Sequence, residues 1–240
     1  MADKQIKSEQ LDASEIVEKA KGFWSAYSKK IIIIGSAVIL LLGSYIGYKY
    51  LVTIPNEKKA DDLIFPAEKL FGLMAASSSY NKDTVNMVLN GDKAAGVTGL
   101  LKIANTFGGT MSANRAQYII GACYLQLKQF DKAINHLKDF DGNDATQIQS
   151  KAFLLLGHAF AEQKKTDDAL DYYKKAGSIS NLDEGMGSEA LFIAGRYADA
   201  IGNTKEAIEI FQDLKDKYPT SSKVSSGDVD KYLASWGLTK

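Results

Sequence analysis

Few residues in this 240-residue chain are placed for covalent chemistry. A metal centre needs two or more of His, Cys, Asp and Glu at ligand spacing, and the two histidines, His136 and His158, have none between them. The single cysteine, Cys123, excludes an internal disulfide framework and any cysteine-rich zinc site. Asp167-Asp168 beside Lys164-Lys165 reads as a solvated turn, and His136 as a surface histidine. No phosphate-cradling glycine loop, nucleophile elbow, HExxH or dinucleotide fingerprint occurs. These residues predict no catalysis, no cofactor, no metal and no small-molecule substrate. The chemistry left to them is recognition.

Charge narrows what could be recognised. The 29 basic and 29 acidic residues cancel, so no net field favours a polyanion. Arg115 and Arg196 are the only arginines. Arginine is the residue that reads phosphate and guanine through two parallel bonds, so nucleic acid is not an expected partner. Protein is.

The elements holding such a surface begin with a membrane segment. Residues 31–48 (IIIIGSAVILLLGSYIGY) carry no charge, and apolar character continues through Val52. At about 1.5 Å per residue this run roughly spans a 30 Å hydrocarbon core. Lys29 and Lys30 close one end, Lys49 can snorkel at the other, and Trp24, Tyr27, Tyr48 and Tyr50 stand at the interfaces. The run is long for a cleaved signal and has no small-x-small site after it, so a retained anchor is expected. Lys19, Lys21, Lys29 and Lys30 precede the span and Lys49, Lys58 and Lys59 follow it, a narrow bias toward a cytoplasmic N-terminus. Before the span, Ile16, Ala20, Phe23, Trp24 and Tyr27 recur at helical spacing and predict a short amphipathic helix at the cytoplasmic surface. Within it, Gly43 and Gly47 form a GxxxG pair, with Gly35 two turns earlier on nearly the same face. This is a candidate helix-packing surface.

Downstream, proline is scarce and no sustained alternation appears, so helices joined by polar turns are expected. Their spacing resembles the tetratricopeptide (TPR) signature, in which L-G-x-x-Y on one helix precedes Ala and a bulky residue on the next. Ile120-Gly121 and Tyr124 are followed by Ala133 and Leu137; Leu156-Gly157 and Phe160 by Ala169 and Tyr173; Ala194-Gly195 and Ala198 by Ala207 and Phe211. A degenerate earlier copy puts Gly96 at the alanine position and Leu100 four later. The small position then recurs at 96, 133, 169 and 207. In this reading the glycines and alanines let paired helices cross closely, and the bulky residue fills the gap to the next hairpin. Asn203 with Glu206 predicts a capping box. No tryptophan opens a repeat, and Phe140 and Leu214 fill usually small sites, so the array is divergent.

In such hairpins the first helix of each repeat lines the concave groove. The register offers Arg115, Tyr118, Ala122, Leu125 and Gln126 from one repeat, then Lys151, Leu154, His158, Ala161 and Glu162 from the next. The third offers Glu189, Phe192, Arg196 and Asp199. This apolar and aromatic strip, edged by both charge signs, suits an extended or helical polypeptide. TPR grooves that clamp an acidic chaperone C-terminus need Lys and Asn where this chain has Tyr118, Leu154, Phe192 and Ala122, His158, Arg196, so that ligand is disfavoured.

The layout as a whole is similar to the YfgM-type bacterial inner-membrane proteins: a short lead (KGFWSAYSKK), one span, then divergent TPR hairpins. The expected fold is all-α, a transmembrane helix followed by a TPR-like α-solenoid. Its expected parts are a lead (1–30), span (31–52), linker helix with degenerate repeat (53–92), TPR-like repeats (93–220) and capping helix (221–240). The resemblance implies an inner-membrane protein with a periplasmic TPR domain, attached to the Sec translocation channel. It implies as partners Sec channel subunits, a membrane-anchored periplasmic chaperone or prolyl isomerase, and secreted clients. Two other readings remain open: an N-anchored import receptor facing the cytosol, and a periplasmic scaffold for envelope assembly or cell division.

Overall fold

The computed structural model describes residues 13–77, 80–179 and 183–238. Residues 1–12 of the expected lead lie outside the described residues. The chain divides into two units, Met1–Pro55 and Asn56–Lys240.

The first unit is one helix and a short π-helical turn: α1 (Ala13–Tyr48) and the turn Lys49–Thr53. Thirty-six residues without proline give α1 no reason to break. The amphipathic segment expected as a separate short helix is thus the first half of α1. Ser25 and Ser36 return their hydroxyls to the carbonyls of Gly22 and Ile33, which removes a polar cost from an apolar helix. Beyond the helix's own adjoining backbone, Gly35, Gly43 and Gly47 have no atom within 4 Å of where a Cβ would stand. Of the described residues, one helix, which takes in α1 from Ile16 onward, is long and apolar enough to cross a membrane.

The second unit is an all-α, TPR-like solenoid. It opens with α2 (Ile54–Ser77), which buries Ala60 and places Ile64, Ala67 and Met74 in the core shared with α5. Next come α3 (Lys82–Asn90), a two-stranded ribbon of β1 (Gly91–Asp92) and β2 (Val97–Thr98), and α4 (Leu100–Thr106). Three hairpins follow: α5 (Met111–Gln126) with α6 (Phe130–Asp139), α7 (Thr146–Glu162) with α8 (Thr166–Ile179), and α9 (Glu184–Ala200) with α10 (Thr204–Lys217). The end is closed by α11 (Ser222–Ser225) and α12 (Asp228–Ser235).

The ribbon overturns the register of the degenerate copy. Gly96 occupies the tight turn between β1 and β2 at φ +67°, not a second helix. Asp92 accepts from the N–H groups of Ala94 and Ala95 and fixes that turn. Gly91 and Gly99 approach so closely that a Cβ on Gly91 would stand 2.6 Å from the Gly99 nitrogen.

The three later hairpins keep their predicted register, and the glycines explain it. A Cβ on Gly121 would meet Leu137 at 2.5 Å, one on Gly157 would meet Tyr173 at 2.5 Å, and one on Gly195 would meet Phe211 at 2.8 Å. Each bulky residue therefore lies first on the glycine of its own hairpin, not in the gap to the next as expected. Ala133, Ala169 and Ala207 are fully buried beneath the same crossings. Each first helix then ends in the same way. Gln129, Lys165 and Asn203 donate backbone N–H to the carbonyls of Tyr124, Phe160 and Ala198, five residues back. The preceding residues, Lys128, Lys164 and Gly202, adopt φ of 57°, 58° and 80°. That is the Schellman geometry, and the left-handed residue terminates the helix.

Candidate protein-binding groove

The concave register is carried by α5, α7 and α9, which present the same side because the glycine crossings repeat. At the C-terminal ends of α5 and α7 this face opens into a cleft of about 420 Å³. Leu125, Gln126 and Lys128 form one wall, His158, Ala161 and Glu162 the other, and Phe130 with Tyr173 completes the lining. Ala161 is what leaves the room: the equivalent position in the first repeat carries Leu125.

His158 and Tyr173 are tied together. The Tyr173 hydroxyl and His158 Nδ1 lie 2.8 Å apart, and the rings meet edge to face with centroids 5.3 Å apart. Burial lowers the pKa of His158 below its ordinary 6.5 against the opposing pull of Glu162, so the ring is neutral at pH 7. Burial likewise raises the Tyr173 hydroxyl, with Tyr197 and Glu162 adding to the effect. With Nδ1 engaged, Nε2 is the ring nitrogen left to a ligand. Lys128 and Glu162 give the cleft one charge of each sign.

The remaining groove candidates are placed differently. Arg115 is held by α2: Nε donates to Glu68 and Nη2 to Asp61, each at 2.9 Å. Glu57 on the same helix accepts from the N–H groups of Met111 and Ser112 at the start of α5. Tyr118 is half-buried and rests on Phe140, with centroids 5.4 Å apart. Leu154 packs against the core, while Lys151 stays exposed. Phe192 is only 8 % exposed, packed on Phe211 and on Tyr232 of α12. It is a packing residue, not a groove wall. Arg196 and Lys223 cover its ring at 6.0 and 4.8 Å, and Lys223 also pairs with Glu189. Asp199 is half-buried near the end of α9.

The cleft thus gathers Leu125, Gln126, His158, Ala161 and Glu162 from the sequence candidates and adds Lys128, Phe130 and Tyr173. The register could have supplied these three, since they occupy the hairpin turn and the bulky second-helix position. No group of three or more His, Cys, Asp or Glu side chains converges for a metal among the described residues. Cys123 is fully buried, and burial pushes its thiol up to about 12, far from the reactive range.

A comparison with curated proteins finds no match to this chain. Family models do match it. Residues 115–141 and 189–221 fit one tetratricopeptide-repeat model and residues 150–181 fit another. These segments are the three glycine-crossed hairpins. Tetratricopeptide repeats are typically scaffolds for protein–protein interaction, and the cleft lies between two of the segments that fit these models.

Proposed function

We propose that this chain is a membrane-anchored scaffold, not an enzyme: α1 crosses a bilayer once, and the α5–α7 cleft receives a polypeptide segment of a partner. The cleft is the observation that carries the reading. It offers apolar wall from Leu125, Ala161 and Phe130 to one bulky side chain, and Gln126 and His158 Nε2 to backbone groups beside it. The YfgM-type resemblance supplies the setting: a bacterial inner membrane, N-terminus in the cytoplasm, solenoid in the periplasm. It also supplies the partners, namely Sec channel subunits, a membrane-anchored chaperone or prolyl isomerase, and secreted clients. In that setting Gly35, Gly43 and Gly47 form the side of the span that a channel helix approaches.

A photo-crosslinker at Gln126, in the full chain purified in mild detergent, identifies the occupant by mass spectrometry. Ala161→Trp fills the cleft, so crosslinks at Gln126 fall sharply while the circular dichroism stays that of wild type. Undiminished crosslinking in that variant would remove the cleft from the proposal. Orientation is read separately with Ser222→Cys, an exposed position. It reacts with an impermeant thiol reagent in intact spheroplasts if the solenoid is periplasmic. Reaction only after lysis returns the cytosol-facing receptor reading.

A further inference from the structure

The first half of α1 carries an apolar arc that crossing a bilayer does not require. Ile16, Val17, Ala20, Phe23, Trp24 and Tyr27 fall within about 120° of the helix circumference at 3.6 residues per turn. Ile16, Val17, Phe23, Trp24 and Tyr27 are between 47 % and 58 % exposed. Phe23 and Tyr27 stack along the arc with centroids 5.0 Å apart. Off the arc the charge is one-sided: Lys19, Lys21, Lys29 and Lys30 against Glu18 alone within residues 16–30.

We infer that residues 16–30 bind the surface of an anionic bilayer, apolar arc against the acyl-chain boundary and lysines among the headgroup phosphates. The inference rests on the membrane reading of α1. Two features choose lipid as the occupant. The arc runs directly into the apolar segment that begins at Ile31, so the nearest apolar phase is the same bilayer. The lysine excess complements anionic headgroups, as in surface-bound amphipathic helices. A straight continuation of α1 would carry Ile16 about 22 Å past the hydrocarbon edge, whereas the headgroup layer is only about 5–7 Å deep. The structure has α1 as one continuous helix, so docking of the arc on the bilayer surface requires that helix to bend between Tyr27 and Ile31, where Ser28, Lys29 and Lys30 add no apolar side chain to the arc.

Trp24 and Trp236 are the only tryptophans, so the full chain with Trp236→Phe carries a single reporter inside the arc. The chain is reconstituted into vesicles of phosphatidylcholine alone or mixed equally with phosphatidylglycerol. In the mixed vesicles Trp24 emission shifts to the blue and is quenched by lipids brominated near the headgroup. In phosphatidylcholine alone both effects are weaker. Lys21→Gln with Lys29→Gln and Lys30→Gln lowers the ratio of surface-bound to free lead about fivefold per lysine. High salt does the same. Leu40→Trp, in a chain with Trp24 and Trp236 both changed to Phe, reports on the span alone. If Leu40→Trp escapes quenching by bromines deep in the acyl chains, the span reading fails and this inference with it. If Leu40→Trp is quenched while Trp24 emits as in water, the span stands and the surface-bound lead is overturned. Equal Trp24 quenching in both vesicle types overturns the anionic assignment.

Discussion

Glycine at positions 121, 157 and 195 sets how near two helices come, and at each the second helix supplies a large side chain to the space. Gly157→Ala places a methyl 2.5 Å from the Tyr173 ring, so the hairpin must part. The expected loss is roughly 1–3 kcal/mol, measured by denaturant unfolding of the full chain in detergent. The histidines give a second residue-scale prediction. Burial depresses the folded-state pKa of both His136 and His158. The unfolded chain then binds more protons as pH falls through about 6.5, so stability is present above that value and declines below it. His136→Gln with His158→Gln flattens this slope between pH 7.5 and 5.5. The glycine positions were legible because partners of fixed spacing sit close in sequence. The burial of Phe192 was not, because Tyr232 and Phe211 reach it from later helices. Arg115 misled because its carboxylates come from α2, 47 and 54 residues earlier in the chain.

At the scale of elements, the helix ends repeat as faithfully as the crossings. Lys128 and Lys164 accept a left-handed backbone that Gly202 takes without strain. Lys164→Gly should raise stability by about 0.5–1 kcal/mol, the strain relieved less the extra freedom of the unfolded chain. Gly202→Lys should lower it by a similar amount, and thermal melts of the two variants check the pair. The Asn203 cap is half of the box expected: its side chain accepts from the Glu206 N–H at 3.3 Å, but the Glu206 carboxylate pairs with Lys174 of the preceding hairpin instead. The β1–β2 ribbon was missed although Gly91 marks the end of α3 and Gly96 the turn between the strands. A repeat period extended backward from Ala133 claimed Gly96 first.

At the scale of the whole molecule, α2 is fastened by three carboxylates on one face of the helix: Glu57, Asp61 and Glu68. The Ser112 hydroxyl, then the Arg115 guanidinium, hold the Asp61 carboxyl below the usual range near 3.8. The stability this adds is present above the unfolded pKa and is lost as pH falls through the lower folded value. Asp61 is half-exposed, so Asp61→Asn costs only about 0.5 kcal/mol at pH 7. The difference between variant and wild type should shrink as pH falls below 3.8. Apart from the ring contact of Phe192 on α9 with Tyr232 on α12, tertiary contacts otherwise run mainly between helices adjacent in sequence, or next but one, along the array. Such a topology folds quickly, and each hairpin can assemble on its predecessor as the chain is synthesised. The last surface to be covered is the one under α12, where Phe211 stacks on Tyr232 at 4.8 Å and faces Trp236 at 6.1 Å. At roughly ten residues per second, Phe192 and Phe211 wait about two seconds after α10 is made before their cover arrives. In that interval the nascent chain displays an aromatic patch that the finished protein does not have.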